Sequence, residues 1–106
     1  PFDAFIASLN AGTLTGAPKI AAMRLIEQYE KSRRGYYGGN VGYITFSDRL
    51  DFGIIIRTAY IKDGIAEVRV GATLLYDSDP KSEYIETLNK GSAFFDILHS
   101  LEQGLN

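Results

Sequence analysis

The spacing of apolar and polar residues divides the chain into segments of helical and strand-like character. Apolar residues recur at helical spacing over Asp3 to Leu9, which predicts a short helix. A second helix is predicted to start around Pro18, where a missing N–H costs nothing, and to stop before Gly35. The intervening residues, Asn10 to Gly16, are rich in glycine and threonine and are predicted to form a loop. A last helix is predicted from about Lys81 to Leu101.

Three strand-like segments lie between the second and the last helix. They are rich in β-branched and aromatic residues and span Tyr36 to Phe46, Phe52 to Ile61 and Ile65 to Leu75. The dipeptide Asp63-Gly64 is typical of a two-residue hairpin turn, which would pair Lys62 with Ile65. The order of the elements predicts an α+β fold, with an antiparallel meander sheet and flanking helices.

Composition excludes several classes of function. The 106 residues include 11 Lys and Arg, 13 Asp and Glu and no cysteine, and the formal net charge is −2. No basic excess indicates a nucleic acid or an anionic membrane surface as a partner. No apolar run approaches the ~18 residues of a membrane span. Because cysteine is absent and no signal peptide is visible, we expect a cytoplasmic protein without disulfides or thiolate metal sites.

Arg57 is a charged residue on a face that otherwise looks apolar. Counting back from the expected pair Lys62–Ile65 places Arg57 opposite Val70, on the apolar face of the predicted sheet. A guanidinium in such a place needs an anion, which is either an acidic side chain of the protein or a carboxylate or phosphate of a ligand. The residues alone leave both possibilities open.

Three charged residues share one face of the last helix. Glu83, Glu86 and Lys90 fall within an arc of ~60° when each residue advances by ~100°. Such spacing usually means a solvent-exposed Glu–Lys pair. The stripe continues into apolar positions, however, and we therefore expect it to point inward. Two inward carboxylates three residues apart are suited to a hard cation such as Mg²⁺, with further ligands supplied from elsewhere.

The loop Asn10 to Gly16 allows two interpretations. Its free backbone N–H groups and hydroxyls, placed before a helix N-terminus, are suited to binding an anion. An ordinary capped helix start has the same composition. The loop lacks the spacing of a nucleotide-binding P-loop, because its lysine follows a proline.

A collinear series of short motifs runs through these segments. The motifs are Gly12 to Ile20, Arg33-Arg34-Gly35, Tyr37-Gly38-Gly39, Val41-Gly42-Tyr43, Ile56-Arg57-Thr58, Asp63-Gly64, Gly71-Ala72, Asp77-Ser78 and Glu83 to Lys90. Together they resemble the chorismate-binding enzyme family, whose members form anthranilate, aminodeoxychorismate, isochorismate or salicylate. The resemblance covers almost the whole chain. It implies that residues 1–106 are the C-terminal part of a chorismate-binding catalytic domain, at one end of a larger αβ sandwich.

The resemblance also implies roles for individual residues. In the last helix Lys90 matches an active-site lysine, Glu86 matches an Mg²⁺ ligand, and Glu83 matches a neighbouring acid that supports the metal. The positions that match substrate-binding residues are Thr13, Tyr37, Arg57, Gly71, Ala72 and Thr73. Of these, Tyr37 and Arg57 match the pair that holds the enolpyruvyl carboxylate, and 71–73 matches a segment whose N–H groups receive a carboxylate. Thr73 stands where the family usually has glycine.

The function implied is that of an Mg²⁺-dependent lyase of tryptophan biosynthesis. It would convert chorismate to anthranilate and pyruvate, with ammonia supplied by a glutamine amidotransferase partner, the component II subunit. Formation of aminodeoxychorismate for folate is an alternative. A non-enzymatic module for small anions or assembly is another, in which Arg57, Glu83 and Glu86 would pair with one another. Because the family's other metal ligand and its histidine lie upstream, we expect residues 1–106 alone to be inactive, and to self-associate through exposed apolar strands.

Overall fold

The computed structural model describes residues 1–104, which form four helices and four strands. The elements in chain order are α1 (Phe2–Ser8), α2 (Gly12–Thr15), α3 (Lys19–Tyr29), β1 (Asn40–Ile44), β2 (Leu50–Ile54), β3 (Ala59–Lys62), β4 (Ile65–Val68) and α4 (Pro80–Gly104). They divide into two compact units, of which the first ends at Ile56 and the second begins at Arg57. Helices together with antiparallel strands confirm the predicted α+β class.

The helices of the first unit lie close to where the sequence predicts them. Helix α1 agrees with the predicted boundaries to within one residue at either end. The predicted loop contains the single turn α2, in which the Thr15 hydroxyl donates to the carbonyl of Ala11 at 3.1 Å. Helix α3 begins directly after Pro18 and ends at Tyr29, before Gly35. Local turn and helix-start chemistry therefore determines most of this part of the chain.

Strands β1 and β2 form an antiparallel hairpin in the first unit. The residues from Asn40 to Ile44 pair in order with those from Ile54 back to Leu50. At Gly42 the partner strand comes so close that a Cβ atom would collide with the backbone of Asp51 and Phe52. On β2, the Phe52 ring stacks on the ring of Phe5 from α1, with 4.1 Å between the ring centroids. This stack covers part of the hairpin with the first helix.

Strands β3 and β4 form a second hairpin in the second unit. The two turn residues, Asp63 and Gly64, have φ values of 52° and 76°, as a type I′ turn requires. Lys62 pairs with Ile65, which confirms the predicted register. Pairing continues back to Ala59 opposite Val68 and ends there.

The predicted single meander is wrong, because the strands form two separate two-stranded sheets. The expected strand from Phe52 to Ile61 is interrupted between Ile54 and Ala59. Within this interruption Arg57 has φ 49°, a left-handed conformation through which a strand cannot continue. Arg57 is therefore outside the β3–β4 ladder and is not paired with Val70.

Helix α4 begins with a side-chain cap. The Asp79 carboxylate accepts hydrogen bonds from the Ser82 N–H at 2.8 Å and from the Ser82 hydroxyl at 2.7 Å. These bonds lower the pKa of Asp79. Further along, Gly91 is the one buried residue among residues 1–104, and a Cβ there would lie 3.3 Å from the Phe95 ring and 3.7 Å from Val70. The helix therefore packs closely on the segment that follows β4.

Large apolar side chains are not buried anywhere in the described residues. Ile61 is 68% exposed and Leu75 is 73% exposed, although both are strongly apolar. Ile54 and Ile56, in the region predicted to leave apolar surface open, are each 42% exposed. So many exposed large apolar side chains are typical of a chain that has an interaction surface. No helix of residues 1–104 has the length and apolarity needed to cross a membrane.

Candidate functional site

Lys90 connects two of the predicted site segments. Its Nζ atom donates to the carbonyl oxygen of Gly71 at 3.1 Å and forms an ion pair with Oε1 of Glu86 at 2.7 Å. Glu86 lies one turn before Lys90 on α4, whereas Gly71 lies in the non-strand segment after β4. The ammonium group thus brings a residue predicted to be catalytic, one predicted to bind metal and one predicted to bind substrate to the same place.

The acidic part of the α4 stripe is only partly sheltered. Glu83 and Lys90 are half-buried, whereas the Glu86 side chain is 51% exposed. The hydrogen bond from Lys90 lowers the pKa of Glu86, the charge of Lys90 lowers it further, and a hydrogen bond with Glu83 adds to the effect. The pKa of Glu86 is thus lowered by its neighbours on α4, and Glu83 lies beside it.

Glu83 and Glu86 fit the donor chemistry of Mg²⁺, because they present neighbouring carboxylate oxygens. Among residues 1–104, no group of three or more His, Cys, Asp or Glu side chains is arranged to hold a metal ion. Two carboxylates therefore suit one side of a shared site and do not form a complete cage. An Mg²⁺ ion held here would need ligands from outside the described residues.

Arg57 is placed differently from the prediction. It is exposed and follows directly after the first unit, with no position in a strand. The sequence placed it on an apolar face because its neighbours alternate as in a strand, and a left-handed residue breaks that alternation. Within the described residues Arg57 makes no ion pair with Glu83 or Glu86, and Glu86 pairs with Lys90 instead. The mutual pairing expected of a non-enzymatic module is thus absent there.

The remaining positions of the second unit form the segment 71–73. Gly71 and Ala72 are half-buried and Thr73 is exposed, and none of them belongs to a strand. The side chain of Thr73, in place of the usual glycine, therefore lies at the solvent-facing end of the segment. The hydrogen bond from Lys90 holds the peptide of Gly71 against α4.

Thr13 and Tyr37 belong to the first unit. Thr13 is an exposed residue of the single turn α2, and Tyr37 is half-buried in the turn between α3 and β1. The turn is closed by hydrogen bonds from the Tyr37 N–H to the carbonyl of Arg34 at 3.2 Å and from the Gly39 N–H to the carbonyl of Tyr36 at 3.0 Å. The Gly38 N–H then donates to Ile55 at 2.9 Å, which connects the turn to the chain after β2.

Arg34 is a residue whose contacts the sequence reasoning missed. Its Nε and Nη2 atoms donate to the Glu30 carboxylate, and its Nη1 atom donates to the carbonyl of Leu14 at 2.8 Å. Its Cζ atom lies 5.6 Å from the centroid of the Tyr37 ring. Hydrogen bonding to Glu30 is the main reason that the pKa of Arg34 is raised, and the charge of Glu30 adds to it. The four-residue spacing from Glu30 was a visible signal, whereas the contact with Leu14 was not.

A concavity of about 540 Å³ lies elsewhere in the second unit. It is formed by the β3–β4 hairpin and the last turns of α4, with Ile61, Phe95 and Leu98 among its lining residues. None of the predicted site residues lines it. Its lining is mainly apolar, and it is therefore distinct from the charged arrangement around Lys90.

The α+β fold is compatible with the family that the motifs suggest, and so is the position of Glu86 and Lys90 on α4 beside the segment 71–73. Residues 1–96 match the family described as chorismate binding enzyme, and the chain belongs to this family. It is 52% identical to the anthranilate synthase component 1 of Vibrio cholerae over 101 aligned residues. The aligned part is 95% of this chain and 19% of that protein. The proteins of the same name from Acetivibrio thermocellus and Geobacillus stearothermophilus are 48% and 46% identical over 103 residues, which are 97% of this chain and 20% of each of them. The chain thus spans about a fifth of the length of these curated relatives.

Proposed function

We propose that this chain is part of an anthranilate synthase component I, the lyase that converts chorismate and ammonia to anthranilate and pyruvate in tryptophan biosynthesis. Membership of the chorismate-binding family and the names of the similar relatives support this reaction. The observation that carries the proposal is the position of Lys90 between Gly71 and Glu86, because it joins three site positions in one arrangement.

The chemistry of chorismate explains why such groups are needed. Chorismate is a dianion, and each of its carboxylates must be matched by positive charge or by N–H donors when it leaves water. Lys90 and Arg57 supply cations, and the backbone of 71–73 supplies N–H groups. Fixed groups of this kind stabilise charge without reorganising during the reaction.

Glu83 and Glu86 would hold the Mg²⁺ ion on which the reaction depends, together with ligands from the rest of the longer protein. When bound there, such an ion would supply positive charge to offset the ring carboxylate and the charge that develops as the C4 hydroxyl leaves. The hydrogen bond and the charge of Lys90 lower the pKa of Glu86, which extends the pH range in which its carboxylate is available as an oxygen ligand below the ordinary range. Lys90 also holds Glu86 itself, so that the carboxylate is oriented before any ion arrives.

The activity belongs to a longer protein in this proposal. The similar relatives are about five times as long as the aligned part, since that part is 19% of the Vibrio cholerae protein. A glutamine amidotransferase subunit would deliver the ammonia, and we expect the assembly to work in the cytoplasm. Residues 1–106 alone would contribute only one side of the metal site and part of the substrate pocket.

Product analysis of the full-length protein tests the proposal. With chorismate, Mg²⁺ and an ammonium salt, we expect anthranilate and pyruvate in equal amounts, and a chelator should abolish both. Glu86→Gln should reduce turnover strongly, whereas the matched change Glu102→Gln near the end of α4 should not. Formation of 4-amino-4-deoxychorismate without pyruvate would assign the folate-pathway reaction instead. Absence of any chorismate conversion would favour a non-enzymatic module.

A further inference from the structure

The guanidinium group of Arg34 lies close to both positions of the first unit that are predicted to bind substrate, Thr13 and Tyr37. The Nη1 atom of Arg34 donates to the carbonyl of Leu14 at 2.8 Å, and Leu14 directly follows Thr13 in α2. The same guanidinium has its Cζ atom 5.6 Å from the Tyr37 ring centroid, within the range of a cation–π contact. The Leu14–Thr15 peptide, one residue beyond Thr13, and the ring of Tyr37 therefore both contact the guanidinium of Arg34.

Glu30 fixes the orientation of that plane. Nε of Arg34 lies 3.0 Å from each oxygen of the Glu30 carboxylate, and Nη2 donates to Oε1 of the same group. The two side chains are only 23% and 30% exposed. A two-nitrogen pairing of this kind restricts rotation of the guanidinium, because both groups are planar.

Every nitrogen atom of the Arg34 guanidinium has an acceptor within the protein. All three of its nitrogen atoms donate to protein acceptors, on Glu30 or on Leu14. Gly38, one residue after Tyr37, packs into the same place, since a Cβ there would lie 3.7 Å from Leu14 and 3.8 Å from Nη1 of Arg34. The arrangement therefore holds α2 and the Tyr37 turn together.

We propose that Arg34 is a positioning residue that holds Thr13 and Tyr37 in a fixed spatial relation for binding of the substrate. The inference rests on the proposed function, in which Thr13 lines the pocket and Tyr37 contacts the enolpyruvyl carboxylate. Lysine cannot replace Arg34 in this role. A single ammonium is not planar and cannot pair with Glu30 through two nitrogens while donating to Leu14 and stacking on a ring.

Arg34→Lys in the full-length protein tests the proposal kinetically. A group that binds the substrate and the transition state with equal strength contributes to KM and not to kcat. Misplacing Thr13 and Tyr37 should therefore raise KM for chorismate roughly tenfold and change kcat less than about twofold. Arg24→Lys on the exposed side of α3 is the matched control and should change neither. An unchanged KM in Arg34→Lys would overturn the inference, as would a fall in kcat at constant KM.

A double-mutant cycle separates positioning from a general loss of stability. In a Tyr37→Leu background the ring is gone, so that Arg34→Lys should raise KM by clearly less than it does in the wild type. Equal effects in the two backgrounds would show that Arg34 does not act through Tyr37. If Arg34→Lys fails to fold, Glu30→Gln takes its place, and an unchanged KM in that variant overturns the inference.

A spectroscopic measurement keeps this inference separable from the proposed function. In ¹H–¹³C spectra the Thr13 methyl and Tyr37 ring resonances should both shift in Arg34→Lys, and neither should shift in Arg24→Lys. A Thr13 resonance that stays in place would refute the positioning role, whatever the protein catalyses. If both resonances shift in Arg34→Lys as expected but the wild-type protein makes no anthranilate, the proposed reaction is refuted and the positioning role of Arg34 stands.

Discussion

The Nζ atom of Lys90 lies 2.7 Å from Oε1 of Glu86, although both side chains are substantially open to water. Exposed pairs four residues apart on a helix add little to stability, because solvent screens them and their side chains lose freedom. The second bond of Lys90, to the carbonyl of Gly71, distinguishes it from an ordinary surface pair. The arrangement thus joins Glu86 on α4, through Lys90, to the backbone of Gly71.

Removal of the Lys90 ammonium should raise the pKa of Glu86. We expect the Glu86 carboxyl in Lys90→Met to titrate closer to its ordinary range, since the hydrogen bond and the charge of Lys90 are the main causes of the lowered value. A ¹³C NMR titration of the side-chain carboxyl carbon measures the change. Lys81→Met, at the start of the same helix, should leave the titration as it is, and an unshifted Glu86 in Lys90→Met would contradict the assignment.

The cap of α4 should make stability depend on pH in the acid range. The pKa of Asp79 is lowered in the folded chain, and its contribution is therefore complete above the ordinary value of about 3.9 and is lost as the pH falls through the folded pKa. Asp79→Ala should lower the melting temperature by a few degrees at neutral pH and flatten this dependence. Thermal unfolding followed by circular dichroism at several pH values is the measurement.

Asp79→Asn serves as the control for the cap. Asparagine keeps an acceptor for the N–H of Ser82 but carries no charge to titrate. We therefore expect near-normal stability at neutral pH together with a flattened acid dependence. A steep acid dependence in Asp79→Asn would show that other carboxyl groups are responsible.

Close approach of the strands at Gly42 should make that position intolerant of a side chain. Gly42→Ala is expected to reduce the free energy of unfolding by about 1–3 kcal/mol, because the strands must separate to admit the methyl group. Gly53→Ala on the neighbouring strand is the matched control, since a Cβ there meets nothing within 4 Å. Chemical denaturation compares the two. Equal losses would indicate a general cost of changing glycine and not a collision at Gly42.

Exposed apolar surface should cause residues 1–106 to self-associate. Ile61 is 68% exposed on β3, and Ile61→Gln is expected to weaken association roughly tenfold by removing an apolar contact. Lys62→Gln, the next residue and also exposed, should have little effect. Sedimentation at several concentrations gives the association constants, and a wild-type chain that sediments only as a monomer would contradict the prediction.

Turns and helix starts that depend on particular residue types could be predicted from the sequence. The strand break caused by one residue in a left-handed conformation could not. The Asp63-Gly64 turn and the helix start after Pro18 were predictable, because particular residues favour those conformations. The break of the expected long strand was not, because Arg57 adopts a left-handed φ that its residue type does not indicate. The shared face of Glu83, Glu86 and Lys90 on α4 was predictable, because helical periodicity alone determines it.

Contacts between residues far apart in the sequence are the part of the candidate site that could not be predicted. Lys90 was predicted as a site residue by resemblance, but its bond to Gly71 depends on how α4 packs after the hairpin. Arg34 reaches Leu14, 20 residues earlier, and no spacing rule connects those two positions. The inward direction expected for the α4 stripe is only partly realised, since Glu86 remains exposed among the described residues.

The positions of Glu83, Glu86 and Lys90 on successive turns of α4 determine how this part of the site can change. Their separations along the helix axis are set by the rise of about 1.5 Å per residue, which gives roughly 4.5 Å and then 6 Å, whatever is bound. Gly91 rests against Val70 immediately beyond them. Any substitution that displaces α4 there moves all three charged groups as a block relative to Gly71. The spacing of the two acids is set by the helix, whereas their distance to the segment 71–73 is set by the contact of Gly91 with Val70 and by the hydrogen bond of Lys90.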